Sequence, residues 1–398
     1  MKNGWPSQTL DEVCQIKPPK SEARGRLAAD GLVSFLPMED MGIDEKIVRA
    51  TQTKPLSTVV GSYTYFADGD VLLAKITPCF ENGKLGIAEG LSNGIGFGSS
   101  EYIVFRPAKT LSKEWLYYYL SRETFRVEGA ARMSGAVGHK RVSKEFIESY
   151  PIPVPPLPEQ QRIVGLLDEA FEGIAAAKTN AEKNLQNARA LFESHLQSIF
   201  TQRGKGSKET KLSEVCAITS TLVDPRKKEF LDLIHVGAGN IESKTGVLAN
   251  LKTAREEGLI SGKFLFDASM VLYSKIRPYL MKVACPDFPG VCSADMYPLA
   301  PLPNKITRDY LFHLLLSKGF TDYAIQGSAR AGMPKVNREH LFEFKVWLPD
   351  VKEQKQLATI LDELHEQTQC LESIYQQKLS ALEALKKSLL HEAFAAEL

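Results

Sequence analysis

The chain repeats itself. Leu10-Asp-Glu-Val-Cys14-Gln-Ile16 recurs as Leu212-Ser-Glu-Val-Cys216-Ala-Ile218, 202 residues on. Val71-Leu72-x-x-Lys75-Ile76-x-Pro78 recurs as Val271-Leu272-x-x-Lys275-Ile276-x-Pro278, 200 residues on. Gly129-x-Ala131-Arg132 returns as Gly327-x-Ala329-Arg330, and Glu159-Gln160 with Leu167-Asp168-Glu169 returns as Glu353-Gln354 with Leu361-Asp362-Glu363. The order is kept while the offset drifts from 202 to 194, as expected of a duplication with small loop deletions. Any fold must therefore be built twice. The 398 residues agree, since one domain typically runs roughly 100–200.

Each copy reads as two parts. The first is mixed: short β-branched and aromatic runs such as Glu101–Arg106 sit between Gly, Pro and Asn turns, with helical patches at Ser112–Phe125 and Thr307–Tyr323. The second part is one long helix. Pro151-Ile-Pro-Val-Pro-Pro-Leu-Pro158 forces an extended entry, and Pro158 fits the first turn, where a missing N–H costs nothing. In the second copy Asp350 reads as the N-cap, with Glu353 three residues later. Neither Glu159–Phe200 nor Glu353–Phe394 contains proline, so each predicts a helix of about 42 residues, roughly 63 Å. The expected division is 1–155 recognition domain, 156–203 helix, 204–350 second domain and 351–398 second helix.

The second helix carries a 3-4 seam that includes Leu357, Leu361, Leu364, Leu371, Tyr375, Leu382 and Leu385. The first carries a narrower one, with Ile163, Leu167, Ile174, Ala181 and, further on, Leu191. A small seam against a bulky one predicts that the helices pair. If they run antiparallel, Ala181 and Tyr375 meet near the midpoint. The fold class expected is α+β: a tandem repeat of two mixed domains joined by two long helices in an antiparallel coiled coil.

The usual tools of catalysis are missing from the sequence. There is no Walker loop, no dinucleotide-binding glycine pattern, no H-E-x-x-H and no G-x-S-x-G elbow. Six scattered cysteines without a C-x-x-C pair argue against a zinc or disulfide framework. No apolar run is long enough to span a bilayer, and Met1–Leu10 lacks the apolar core of a signal peptide, so a cytoplasmic protein without a membrane role is expected. A binding protein is the reading that remains.

Charge points to what is bound. The net charge is only +1, which excludes a chain that coats nucleic acid by bulk charge. By segment, however, the two mixed parts carry 19 basic against 18 acidic and 20 against 16, while the helical parts carry 5 against 6 and 5 against 8. Basic groups collect in two equivalent places. One holds Lys75 and Thr77, matched by Lys275 and Arg277; the other is a glycine loop holding Arg132, His139, Lys140 and Arg141, matched by Arg330, Lys335, Asn337 and Arg338. Arg and Lys on loops suit phosphates, and Arg and Asn can read guanine and adenine edges. The same residues could instead anchor each domain on its own helix. Residues that read sequence should differ between the copies if the two domains read different sequences.

Pro153-Val-Pro-Pro-Leu-Pro-Glu159-Gln160-Gln-Arg162-Ile163-Val-x-x-Leu167-Asp168, echoed by Trp347-Leu-Pro349-x-Val-x-Glu353-Gln354-x-x-Leu357-x-x-Ile-Leu361-Asp362, resembles the conserved-region entry of the specificity subunits of type I restriction–modification systems. The resemblance covers the whole chain. It implies two target-recognition domains, each reading half of a bipartite, asymmetric site on double-stranded DNA through the major groove, with the helices as spacer. It implies a non-catalytic subunit that binds no cofactor itself. Its partners would be two adenine-methyltransferase subunits using S-adenosylmethionine and, in the full complex, ATP- and Mg-dependent restriction–translocase subunits. Two other readings stand beside it: a specificity subunit whose partner fuses nuclease and methyltransferase, and a coiled-coil adaptor with no DNA role.

Overall fold

The computed structural model describes residues 5–136, 138–201, 207–328 and 334–395. Its contacts group the chain into two units: Met1–Ala181 with Gln377–Leu398, and Glu182–Gln376. Each long helix thus contributes one part to each unit. The helices run Leu157–Thr201 and Val351–Phe394. Pro158 lies in the first turn of the first helix. Asp350 caps the second, its carboxylate accepting from the Glu353 amide at 2.9 Å. No helix among the described residues is long and apolar enough to cross a membrane.

Unit 1 holds two sheets. One orders Cys14–Ile16, Tyr102–Pro107, Val71–Ala74, Leu85–Ala88 and Ile47–Val48; the other orders Gln52–Pro55, Leu32–Leu36, Ile95–Gly98 and Thr64–Ala67. The central pair is antiparallel with Tyr102 opposite Ala74. The run anticipated from Glu101 to Arg106 is thus the strand Tyr102–Pro107. A helix, Lys113–Leu120, covers the first sheet, and its fully buried Trp115 donates from the indole to Pro153 O at 2.9 Å. Ile163 and Leu167 of the first long helix, and Leu390 and Ala393 from the end of the second, join the same apolar core.

Unit 2 repeats the plan. Its sheets order Cys216–Ala217, Met296–Pro301, Val271–Ser274 and Val283–Ala284, and Leu222–Val223, Lys263–Phe266, Gly290–Cys292, Ile234–Val236 and Lys252–Thr253. The equivalent central pair sets Ser274 opposite Met296. Phe192 and Leu196 from the first long helix and Ala358 and Leu361 from the second close this core. In both units a short two-stranded ribbon, Ser7–Thr9 with Pro151–Pro153 and Lys208–Lys211 with Lys345–Leu348, leads into the long helix.

Two local expectations change. Each helical patch is two helices: Lys113–Leu120 and Glu123–Ala131, then Arg308–Leu316 and Lys318–Gln326. Ser317 makes the second break by going extended and accepting from the Phe320 amide, so its hydroxyl caps a new helix instead of continuing the old one. The helix seam also shifts. Ile163, Leu167, Ala181 and Leu361 are buried, and Ile174, Leu357, Leu364, Tyr375 and Leu382 are half-buried. Leu371 and Leu385, however, are 41% and 46% exposed, and Leu191 is exposed too. The sheltered places belong to the next residues along, Glu372, Lys386 and Phe192. Strict 3-4 stepping assumes 3.5 residues per turn, whereas a straight helix turns in 3.6 and drifts about 20° per heptad.

Candidate nucleic-acid interface

The two basic segments of each domain, far apart in sequence, meet at one place. In unit 1 the chain after Val71–Ala74 pairs with the glycine loop: Ile76 bridges Arg141, the Thr77 amide donates to Lys140 O at 2.9 Å, and the Val142 amide to Lys75 O at 3.0 Å. Unit 2 does the same. Ile276 bridges Lys335, the Arg277 amide donates to Pro334 O at 2.9 Å, and the Val336 amide to Lys275 O at 2.8 Å.

An acid sits at the centre of each meeting point. Glu101 accepts both arms of Arg141, at 2.9 and 2.7 Å, and faces Lys75 at 3.9 Å. Asp295 faces Lys335 at 3.4 Å and Lys275 at 3.7 Å. Lys75 also donates to Ser100 O at 3.0 Å, and Lys275 to Ala294 O. Hydrogen bonding by Arg141 holds the Glu101 carboxyl below its ordinary value. Partial burial pushes both Lys75 and Lys275 down from theirs. The lysines are thereby committed to the domain's own backbone, while Arg141 and Lys335 stay 45% and 47% exposed.

The remaining candidates differ in how free they are. His139 and Lys140 are exposed on the loop, and no hydrogen bond or ion pair engages their side chains among the described residues. Arg132 is exposed with its guanidinium over the Phe146 ring at 5.1 Å. Thr77 donates to Glu81 at 2.8 Å. Asn337 is occupied as the cap of Arg338–Phe342, accepting from the His340 amide at 2.7 Å, and Arg338 donates to Ile218 O at 3.1 Å. Arg277 is exposed. Arg330 lies outside the described residues. Of the matched glycines, Gly129 is a packing requirement: a Cβ there would come within 2.4 Å of the Phe80 ring.

The helix motif has a use that sequence reasoning did not assign. Gln160 and Gln354, 0% and 1% exposed, each tie a long helix to its own domain. Gln160 accepts from the Ser112 amide at 2.8 Å and donates to Thr110 O and Pro155 O at 2.9 and 2.7 Å. Gln354 accepts from the Thr307 amide at 2.9 Å and donates to Lys305 O and Pro349 O at 2.9 and 3.0 Å. Two turns further on, Asp168 accepts from Tyr118, with Lys46 at 2.7 Å, whereas Asp362 meets His313 Nε2 at 2.7 Å. Both carboxylates sat in the matched Leu-Asp-Glu; their partners, one Tyr and one His, share no identity that a repeat search could find. The same is true of Glu101 and Asp295.

Among the described residues no cluster of His, Cys, Asp or Glu is arranged to hold a metal ion.

The type I restriction modification DNA specificity domain model matches residues 2–186 and again 204–380. The chain is 39% identical over 244 residues to the type I restriction enzyme EcoEI specificity subunit of Escherichia coli, a match covering 60% of this chain and 40% of the relative. It is 35% identical over 188 residues to the EcoDI specificity subunit of the same organism, covering 47% and 41%. The chain therefore matches less than half the length of these relatives. Two solved structures share the fold over all of this chain. One is a chain from work on complex assembly and conformational transition of the type I R–M system, with TM-score 0.78, 17% identity and 99% of that chain covered. The other is the HsdS subunit from Thermoanaerobacter tengcongensis, with TM-score 0.66, 17% identity and 98% covered. With the family model matching both copies of its repeat, this chain belongs to the type I restriction modification DNA specificity domain family.

Proposed function

We propose that this chain is the DNA sequence-specificity subunit of a type I restriction–modification complex and performs no chemistry itself. Each mixed domain reads one half of a bipartite, asymmetric site on double-stranded DNA. The long helices form an antiparallel coiled-coil spacer that docks methyltransferase subunits. S-adenosylmethionine, ATP and Mg are used by partner subunits, the last two by the restriction subunits.

The observation that carries this reading is the duplicated basic ridge: Lys75, Glu101 and Arg141 in one domain, Lys275, Asp295 and Lys335 in the other. Each copy presents exposed cations from loops held on a rigid sheet, the arrangement that lets phosphate contacts fix register while neighbouring side chains read bases. Two ion pairs support the spacer. Lys178 meets Glu383 at 2.7 Å in unit 1, and Arg189 meets Glu372 at 3.1 Å in unit 2. The shifted burial refines the seam, with Leu371 and Leu385 left available to partners.

Mapping methylated adenines genome-wide, with and without the gene, tests the function. Loss of one bipartite methylation motif is expected on deletion. An unchanged map refutes the reading.

A further inference from the structure

The ion-pair ridge is shared by the two domains, but what rises next to it is not. In unit 2 the ridge lysine Lys275 is followed by a short 3-10 turn, Pro278–Leu280, flanked by Arg277 and Met281, both at φ 48°. A left-handed backbone at two bulky residues is uncommon and persists only where the surroundings enforce it. Here they do. The Arg277 amide is tied to Pro334 O, the Leu280 amide donates to Arg277 O at 2.9 Å, the Met281 amide to Pro278 O at 2.9 Å, and Met281 packs against the unit's core. The turn is therefore a fixed mount.

Two large side chains stand on it. Arg277 is exposed, and among the described residues no acceptor engages its guanidinium. Tyr279 is 51% exposed, unusual for an aromatic ring next to a well-packed core. The same positions in unit 1 are Thr77, Cys79 and Glu81. There the Thr77 hydroxyl is used up on Glu81, and the exposed carboxylate repels phosphate.

Resting on the specificity reading above, we propose that Arg277 and Tyr279 are base-contacting, specificity-determining residues of the second recognition domain, and that the first domain has no counterpart at this turn. The ridge lysines and the acid between them set the loops; Arg277 and Tyr279 choose the sequence. A guanidinium carried on a fixed backbone suits the paired O6 and N7 acceptors of guanine, and an aromatic edge suits a thymine methyl. Residues that must differ between two half-sites are then the ones that differ between the two copies, while the matched lysines serve both.

The test uses the full chain with its partner subunits in cells, reading the methylome of Arg277→Ala, Tyr279→Ala, the double variant, Cys79→Ala and a gene deletion. Each bidentate contact is worth about 10-fold in discrimination, to order of magnitude. Arg277→Ala should relax one position of one half-site about 10-fold and leave the other half unchanged, with Arg277→Lys failing to restore the preference. Cys79→Ala, at the position matching Tyr279, should alter neither half. An unaltered motif in the double variant overturns the proposal. So does an even loss over all sites without relaxed sequence in a variant whose purified chain keeps its melting temperature, which marks phosphate contact. If deletion itself leaves the map unchanged, the specificity reading has failed as well.

Discussion

Compare how the two units hold their helices. Both use a buried glutamine making the same three hydrogen bonds, to an amide at the start of the covering helix and to two carbonyls. Two helical turns later they part. Unit 1 sets a Tyr118 hydroxyl and the Lys46 ammonium on Asp168; unit 2 sets His313 alone on Asp362, with its Nδ1 buried and without a partner among the described residues. The lesson is that the innermost contact has one workable solution and the outer one has several. An amide offers a donor and an acceptor at once, as the Gln160 and Gln354 sites demand, so no other side chain of that length substitutes. A carboxylate only needs some donor.

The largest effect should come from removing that common contact. Gln160→Ala leaves one amide and two carbonyls without this partner at a part-buried to buried site, where each unsatisfied group costs about 1–3 kcal/mol. We expect roughly 3 kcal/mol of destabilisation, read by chemical denaturation. Hydrogen exchange should localise it to unit 1 for Gln160→Ala and to unit 2 for Gln354→Ala. Equal loss of protection in both units by either variant would break the comparison. Next comes Tyr118→Phe, which leaves Asp168 its Lys46 partner and should cost about 1 kcal/mol. His313→Phe should cost more, since Asp362 keeps no other partner among the described residues; the reverse order would mean that water satisfies the Asp362 carboxylate, whose side chain is 54% exposed.

Acid should separate the units further. Desolvation lowers the pKa of His235, which faces Glu257 and Lys263, and of His365, which lies near His313, Asp362 and Glu372. Both are in unit 2. A histidine depressed in the fold binds its proton more readily when unfolded, so its contribution is intact above the ordinary 6.5 and is lost as pH falls below it. Protection factors in unit 2, taken relative to the intrinsic exchange rate at each pH, should therefore fall between pH 7 and 5.5 before those in unit 1, and His235→Gln should narrow the gap. The smallest effect concerns the helix ion pairs. Lys178→Ala and Arg189→Ala should each cost below about 1 kcal/mol, because these pairs are exposed, and reversing both charges of a pair should recover the loss. A cost of several kcal/mol would mean that the helices depend on charge more than on their apolar seam.

Much of this architecture could be read from the residues. The duplication, the proline-rich entries and the Asp350 cap are local signals, and each helix begins within a few residues of where those signals put it. The coming together of Lys75 with Arg141 was not legible, because Ile76 and Arg141 are 65 residues apart and their pairing depends on a sheet between them. The acids Glu101 and Asp295 escaped for another reason: they conserve charge but not identity, and a search by identity passes over them. The seam error at Leu371 and Leu385 was one of period. Over a short helix 3.5 and 3.6 residues per turn cannot be told apart; over Val351–Phe394 they differ by a whole position.

The neutrality of the glutamine anchors has a consequence for ionic strength. Salt screens exposed charges over a Debye length of about 8 Å at physiological concentration, and DNA contacts weaken steeply as it rises. A buried amide carries no net charge and feels none of this. On the proposed function, raising salt would strip phosphate contacts from the ridge while each helix stays seated on its domain. Release of DNA and loosening of the protein would then be separate events, and a reader that lets go of one site would already be assembled for the next.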